Sequence, residues 1–236
     1  MKCIKYKILF NPMIQLDNKF SENNRIENNN DNFELYKFIQ GNLMSNYPKP
    51  IYTMFYYYSL NPLFSKDECK EIVEMGTSLN FDYQRFGTGQ LDFKKFNAKR
   101  SYLLPNSKTE KIYEKLRNII IETNNELWNF NLYDFGEPIK FMEYNEYMNG
   151  HAALHCDISH QGVSKYRKLT IIVQLTDNND YEGGDLILQH YEKPYIMPNI
   201  QGTIIIFPSF LLHEVKPVTK GIRNSLVAFA YGPPFC

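Results

Sequence analysis

Over its second half the chain is written in short β-rich runs. IKFMEY (139–144), KLTIIVQLT (168–176), GDLILQ (184–189), GTIIIF (202–207) and SLVAFAYG (225–232) are separated by turn residues, the texture of strands. IYTMFYYYS (51–59), which follows YPKP at 47–50, is another β-branched and aromatic run. Two helices precede the main block. Ser65-Lys-Asp-Glu68 has the form of a capping box, Cys69, Ile72 and Val73 follow at helical spacing, and Gly76 offers a stop. Ser107-Lys-Thr-Glu110 repeats the device, with Ile112, Leu116, Ile119, Ile120 and Leu127 on one face, predicting a helix to about residue 128. Gly183-Gly184 reads as a hairpin or bulge pair, and Lys220-Gly221 as a tight turn before Arg223. Helices first and many short strands afterwards predict a mostly β, α+β domain: a double-sheet jelly roll with the helices packed on one sheet. The Asn-rich stretch 18–34 buries little and reads as a loop or linker behind a short N-terminal strand. Residues 1–45 are therefore expected to be a partly flexible extension, and 46–236 a single domain.

Composition changes this picture little. The 236 residues suit one large β domain, and 43% hydrophobic with 22% charged is ordinary for a globular chain. Lys+Arg and Asp+Glu both number 26, so no net field favours nucleic acid or an anionic membrane, and neither is expected as a partner. The cysteines at 3, 69, 156 and 236 form no CxxC pair, which argues against a disulfide framework and a zinc knuckle. The opening residues lack the apolar core of a signal peptide, and no run approaches the roughly 18 apolar residues of a membrane span. A cytoplasmic protein is expected.

Candidate chemistry sits in the β-rich half. His155 and Asp157 are two apart, so in an extended segment both side chains reach one side. With His213 they make two imidazoles and one carboxylate, a set suited to Fe(II) with one face of its octahedron open. Taken alone, a His-x-Asp pair more often satisfies local polar groups than it binds metal. Arg223, ten residues after His213, can form a bidentate pair with a carboxylate bound near that metal, and Ser225 shares its strand face. Without the triad, Arg223 reads as a surface cation.

Three stretches carry a resemblance: MEYNEYMNGHAALHCD, RKLTIIVQLTDNNDYEGGDLIL and GTIIIFPSFLLHEVKPVTKGIRNSLVAFAYG. Together they span roughly residues 139–232 and resemble the prolyl 4-hydroxylase-like branch of the 2-oxoglutarate/Fe(II) oxygenases, including the PKHD-type hydroxylases. FSKDECKEIVEMG (64–76) is similar to that family's first helix. The resemblance implies a double-stranded β-helix of cupin type, with Fe(II), the cosubstrates 2-oxoglutarate and O2, and ascorbate as a supporting reductant. His155, Asp157 and His213 match the iron ligands, and Arg223 matches the residue on the 2-oxoglutarate 5-carboxylate. Tyr144 falls where the family has a tyrosine on that carboxylate; the turn after it is one or two residues long, which leaves Tyr147 as its rival. Gln174 falls where a polar strand residue faces the cosubstrate. Arg100 falls on a strand bordering the substrate groove, preceded by a polar loop (83–97) that reads equally as a lid or as a plain hairpin. Tyr83, Phe86 and Tyr102 are aromatics able to stack on pyrrolidine rings there. His151 and His160 read as solvated loop residues, and no role is expected for His190.

The expected activity is hydroxylation of prolyl residues in a protein or peptide, with release of succinate and CO2. Hydroxylation of a free amino acid or other small molecule is the second reading. A non-catalytic jelly-roll module is the third, and the intact triad with Arg223 argues against it.

Overall fold

Alternation along the strands decides which side chains meet, and the computed structural model shows it at work in residues 56–83, 94–189 and 193–235, which it describes. In chain order the elements are β1 (Tyr57–Tyr58), α1 (Lys66–Ser78), β2 (Asp82–Tyr83), β3 (Phe96–Asn97), β4 (Lys99–Leu103), α2 (Glu110–Leu127) and β5 (Ile139–Asn145). There follow β6 (His151–His155), β7 (Arg167–Gln174), β8 (Tyr181–Gly183), β9 (Leu186–Leu188), β10 (Tyr195–Ile196), β11 (Ile204–Pro208), β12 (His213–Val215) and β13 (Val218–Tyr231). One sheet has the order β1-β11-β7-β13-β5-β4-β2, with β8 added beside β13; the other has the order β10-β9-β12-β6-β3. From β6 onward the chain passes back and forth between the sheets, with β6, β9, β10 and β12 in one and β7, β8, β11 and β13 in the other, which is the winding of a double-stranded β-helix.

β7 is buried along almost its whole length, with Leu169, Ile171 and Val173 on one face and Thr170, Ile172 and Gln174 on the other. Leu169, Ile171 and Val173 join Leu226, Ala228 and Ala230 of β13 and Ile204 and Ile206 of β11 under the helices. There they meet Cys69 and Ile72 of α1 and Ile112, Leu116 and Ile120 of α2. The alternate residues, among them Met142, Tyr144, Ile172, Ile205 and Phe207, face the second sheet and its Ala152, Leu186, Leu188 and Val215. Each such fully buried aliphatic or aromatic side chain contributes roughly 1.5–3 kcal/mol.

Details differ from the sequence reading where packing overrides local signals. The Ser65–Glu68 capping box forms in both directions, but Gly76 does not stop α1. It lies inside the helix, pressed so close to the Phe141 ring that a Cβ would sit 2.3 Å from Cγ of that ring. The absent side chain is what lets the sheet approach. The second capping box does not form. Asn106 instead accepts from the Lys108 N–H through its side chain, and Thr109 holds the N-cap position without a side-chain cap bond. Lys220-Gly221 is not a turn but part of β13, where Gly221 (φ +74°) pairs with Tyr181 of β8, beside a register shift between Val218 and Lys220. Of the run 51–59 only Tyr57–Tyr58 is a strand, and 51–55 lie outside the described residues, as do residues 1–50 and Phe86 with the rest of 84–93.

Candidate metal centre

β6 and β12 are neighbours, and their register sets His213 directly opposite His155, with ring centroids 4.3 Å apart. Asp157 lies just past the end of β6. Its N–H donates to the Ser209 carbonyl at 2.9 Å, which ties it across to the turn after β11. Its carboxylate then lies between the rings: Oδ1 is 3.6 Å from His155 Nε2, and Oδ2 is 3.3 Å from His213 Nε2. The three candidate ligand atoms all lie within 4.8 Å of one another. Sequence spacing brings His155 and Asp157 together; the sheet supplies His213.

The imidazoles are oriented by the backbone. His155 Nδ1 is 2.7 Å from the Ala153 carbonyl, and His213 Nδ1 is 2.9 Å from that of Leu211. A carbonyl only accepts, so Nδ1 carries the proton and Nε2 is directed at Asp157. Phe96 packs edge-on to the His155 ring and Phe207 to that of His213, both at 4.8 Å. Burial alone would raise the Asp157 carboxyl, but His213 and His155 hold it well below the usual carboxylate range. Burial likewise opposes charge on His213, and the neighbouring Asp157 outweighs it and raises that imidazole. The cluster is therefore built to hold positive charge between two Nε2 atoms and a carboxylate, and a divalent ion meets the same need while displacing a proton.

Sequence reading missed the residues behind Asp157. Thr170 donates to Asp157 Oδ2 at 2.8 Å, and Arg167 Nη1 donates to the Asp157 carbonyl at 2.9 Å. Arg167 in turn grips Glu137 with Nε at 2.6 Å and Nη2 at 2.9 Å. Tyr231 donates to the same carboxylate at 2.7 Å, and Lys140 Nζ lies 3.2 Å from it. The Phe229 ring packs against both cations, 3.8 Å from the Arg167 guanidinium carbon and 4.5 Å from Lys140 Nζ. Burial would raise Glu137, yet Arg167, Lys140 and Tyr231 together hold its pKa at about 2. A depressed carboxyl contributes stability above its ordinary value and loses it as pH falls towards the folded one. Glu137→Gln is thus expected to lower the urea midpoint above about pH 4.5, with the gap from wild type closing as pH falls from 4.5 towards 2. A gap that does not change with pH would mean the carboxylate charge adds nothing.

Arg223 lies further back between the sheets. It is opposite Tyr144 in the β13–β5 register, its guanidinium carbon 5.4 Å from the centre of that ring, and only 3% exposed. Ser225 sits opposite Gln174, both buried, and Gln174 Nε2 donates to the Tyr181 hydroxyl at 2.8 Å. Tyr181 also bonds Arg223. Tyr181 was invisible in the sequence because it ends an acidic loop and gives no periodic signal. Gly184 (φ +67°) makes room for the arginine, since a Cβ there would lie 2.9 Å from Arg223 Cδ. Tyr144 is within electrostatic reach of both Arg223 and Asp157. Tyr147 is 89% exposed, on the far side of the turn. Among the described residues no carboxylate forms an ion pair with Arg223. A buried cation without a counter-ion suits a bound carboxylate.

Arg100 and Tyr102 lie opposite Met142 and Lys140 in the β4–β5 register, so they share the inner face of the sheet. Arg100 reaches Asp82 at 3.2 Å and packs 5.4 Å from the Tyr102 ring. Tyr83 pairs with Lys99 at the sheet's edge. His151 is half-exposed and opens β6 rather than lying in a loop, and its ring nitrogens meet the carbonyls of Asn149 and Lys94. His160 is exposed, and His190 lies outside the described residues.

Residues 140–231 match the family model of the 2OG-Fe(II) oxygenase superfamily. A PKHD-type hydroxylase of Synechococcus sp. (strain CC9311) is 43% identical over 61 residues, 26% of this chain and 28% of that protein. The curated relatives compared are matched over 24% to 42% of their own length. In three dimensions the chain is similar to a Trichoplax adhaerens prolyl hydroxylase in complex with a hypoxia inducible factor peptide fragment (TM-score 0.65, 15% identity). That likeness covers 86% of this chain and 94% of the other. It is also similar to a Pseudomonas putida prolyl-4-hydroxylase (TM-score 0.60, 14% identity), over 75% of this chain and 91% of that one. At these identities the two structures speak for the fold. None of the described helices is long and apolar enough to cross a membrane.

Proposed function

We propose that this chain, a member of the 2OG-Fe(II) oxygenase superfamily over residues 140–231, is an Fe(II)- and 2-oxoglutarate-dependent hydroxylase of prolyl residues in a protein or peptide. The observation that carries this reading is the pairing of two features between the same sheets. One is a compact two-histidine, one-carboxylate cluster with both Nε2 atoms directed inward; the other is a buried arginine with no carboxylate partner among the described residues. In this reading His155, Asp157 and His213 hold Fe(II). Arg223 receives the 5-carboxylate of 2-oxoglutarate, with Ser225, Tyr144 and Gln174 around it.

Bound Fe(II) with 2-oxoglutarate and O2 supplies the oxidising chemistry, which hydroxylates a C–H bond and releases succinate and CO2. The protein contributes placement. The Ala153 and Leu211 carbonyls fix the imidazole tautomers, and Thr170 and Arg167 hold Asp157 from behind. Phe96 and Phe207 wall the rings from water. No general base is needed, which fits a centre whose buried polar groups are already hydrogen-bonded.

The prolyl substrate is favoured by the prolyl hydroxylase neighbours, one of them holding a peptide, and by the aromatic and cationic side chains on the open side. Tyr102 and Arg100 share the inner face there, and a preorganised polyproline-II segment packs on such an aromatic ring at low entropic cost. Incubation of the purified protein with Fe(II), ascorbate and 2-oxoglutarate on a panel of proline peptides and free amino acids tests the reading. A mass gain of one oxygen atom on a peptide prolyl residue is expected. A gain confined to free amino acids would move the substrate to the small-molecule class, and no 2-oxoglutarate consumption under any condition would remove the activity altogether.

A further inference from the structure

A second cluster of buried charge lies at the other end of the inner face from Arg223. It consists of Lys140 on β5, Arg167 on β7 and Glu137 before β5, gathered around Phe229. Two cations face one carboxylate. Asp157, close enough to act on both cations, offsets the surplus while its charge is free. A divalent ion on Asp157 would cancel that offset and leave one uncompensated positive charge in a desolvated place.

The two cations are not equivalent. Arg167 is spent: Nε and Nη2 hold Glu137, and Nη1 holds the Asp157 carbonyl. Lys140 has three donors on a flexible stem. Among the described residues it has the Phe229 face and one carboxylate oxygen, Glu137 Oε2 at 3.2 Å, which already accepts from Arg167. Lys140 is 6% exposed, yet it borders the accessible side of the centre. The side chains of Asp157, Arg167, Glu137 and His155 retain 12% to 19% exposure, while Arg223, Ser225 and Gln174 are closed off. Tyr102, opposite Lys140 in the register, is also partly exposed. Tyr102 and Lys140 therefore lie beside the partly exposed part of the centre.

We propose that Lys140, steered by Glu137 and backed by Arg167, receives a carboxylate of the substrate, so that the enzyme selects molecules bearing an acid group beside the carbon they present to the metal. This rests on the oxygenase reading for the position of that carbon. The carboxylate comes either from an acidic residue next to the target in a peptide or from the main-chain carboxylate of a small amino acid.

Binding measured without turnover separates these cases from each other and from the oxygenase reading. Calorimetry on metal-free and Zn(II)-loaded protein would compare blocked proline peptides that differ only by Glu or Gln beside the proline, and free L-proline with L-prolinamide. In at least one pair the carboxylate member is expected to bind about tenfold tighter to the wild type, with the ratio falling to about one in Lys140→Met. Glu137→Gln, which removes the competing anion, is expected to widen the ratio and serves as the second variant if Lys140→Met does not fold. The pair that responds names the source of the carboxylate. Equal or undetectable binding within both pairs, a ratio that survives Lys140→Met, or one that Glu137→Gln narrows would overturn the proposal. Failure of the oxygenase reading would show separately, as absent 2-oxoglutarate turnover with the binding ratios intact.

Discussion

His155→Ala, Asp157→Ala and His213→Ala are each expected to give a protein that no longer retains Fe(II) and no longer consumes 2-oxoglutarate. The geometry sets the size of this effect. In the proposed centre there are three protein ligands and an open face, so the loss of any one would leave two, too few to hold a labile divalent ion. Residues that only orient a ligand are typically worth about 10–100-fold in metal affinity, so loss of a ligand itself is expected to exceed about a hundredfold. Asp157→Ala is the most disruptive of the three. Beyond the ligand, it removes the acceptor of the Thr170 hydroxyl and leaves His213 buried without its counter-ion. Metal content after gel filtration, with the thermal midpoint as a folding control, checks the result. A variant that is fully metallated and fully active would end the assignment of that residue.

How far the sequence reached depends on the kind of contact. Features set by local chemistry were legible. The Ser65–Glu68 box starts α1 because both of its bonds close within one turn, and the β-rich run 168–176 marked β7 as a strand. His155 and Asp157 were legible because strand periodicity puts residues two apart on one side. What depends on a partner distant in the chain was not. Gly76 looked like a helix stop, and its meaning is the Phe141 ring. Lys220-Gly221 looked like a turn because the pairing of β8 with β13, which takes both residues into the strand, leaves no local trace. Glu137, Lys140, Arg167, Thr170 and Tyr231 are unremarkable in sequence, and they acquire meaning only when β5, β7 and β13 lie side by side. Spacing alone allowed both Tyr144 and Tyr147, and it could not show that Tyr144 is buried beside Arg223 while Tyr147 is exposed.

Arg223→Ala is expected to raise the KM for 2-oxoglutarate by about 30-fold to a few thousandfold, as loss of one partner of a buried charge pair costs roughly 2–5 kcal/mol. Fe(II) content should stay near the wild-type level, because Arg223 contacts Tyr144, Tyr181 and Gly184 and none of the three candidate ligands. Arg223→Lys should fall between the two. It keeps the charge but loses the fork that grips a carboxylate with two bonds and the planar face that packs on Tyr144. The neighbouring cations cannot replace it: Lys220 is exposed and paired with Glu182 at 2.8 Å, and Lys216 is paired with Glu214 at 3.0 Å. Steady-state kinetics with 2-oxoglutarate as the varied substrate, alongside metal analysis, would separate a binding defect from a folding defect. Unchanged cosubstrate affinity in Arg223→Ala, with affinity lost instead in Lys216→Ala or Lys220→Ala, would place the 5-carboxylate at the protein surface and refute the buried site.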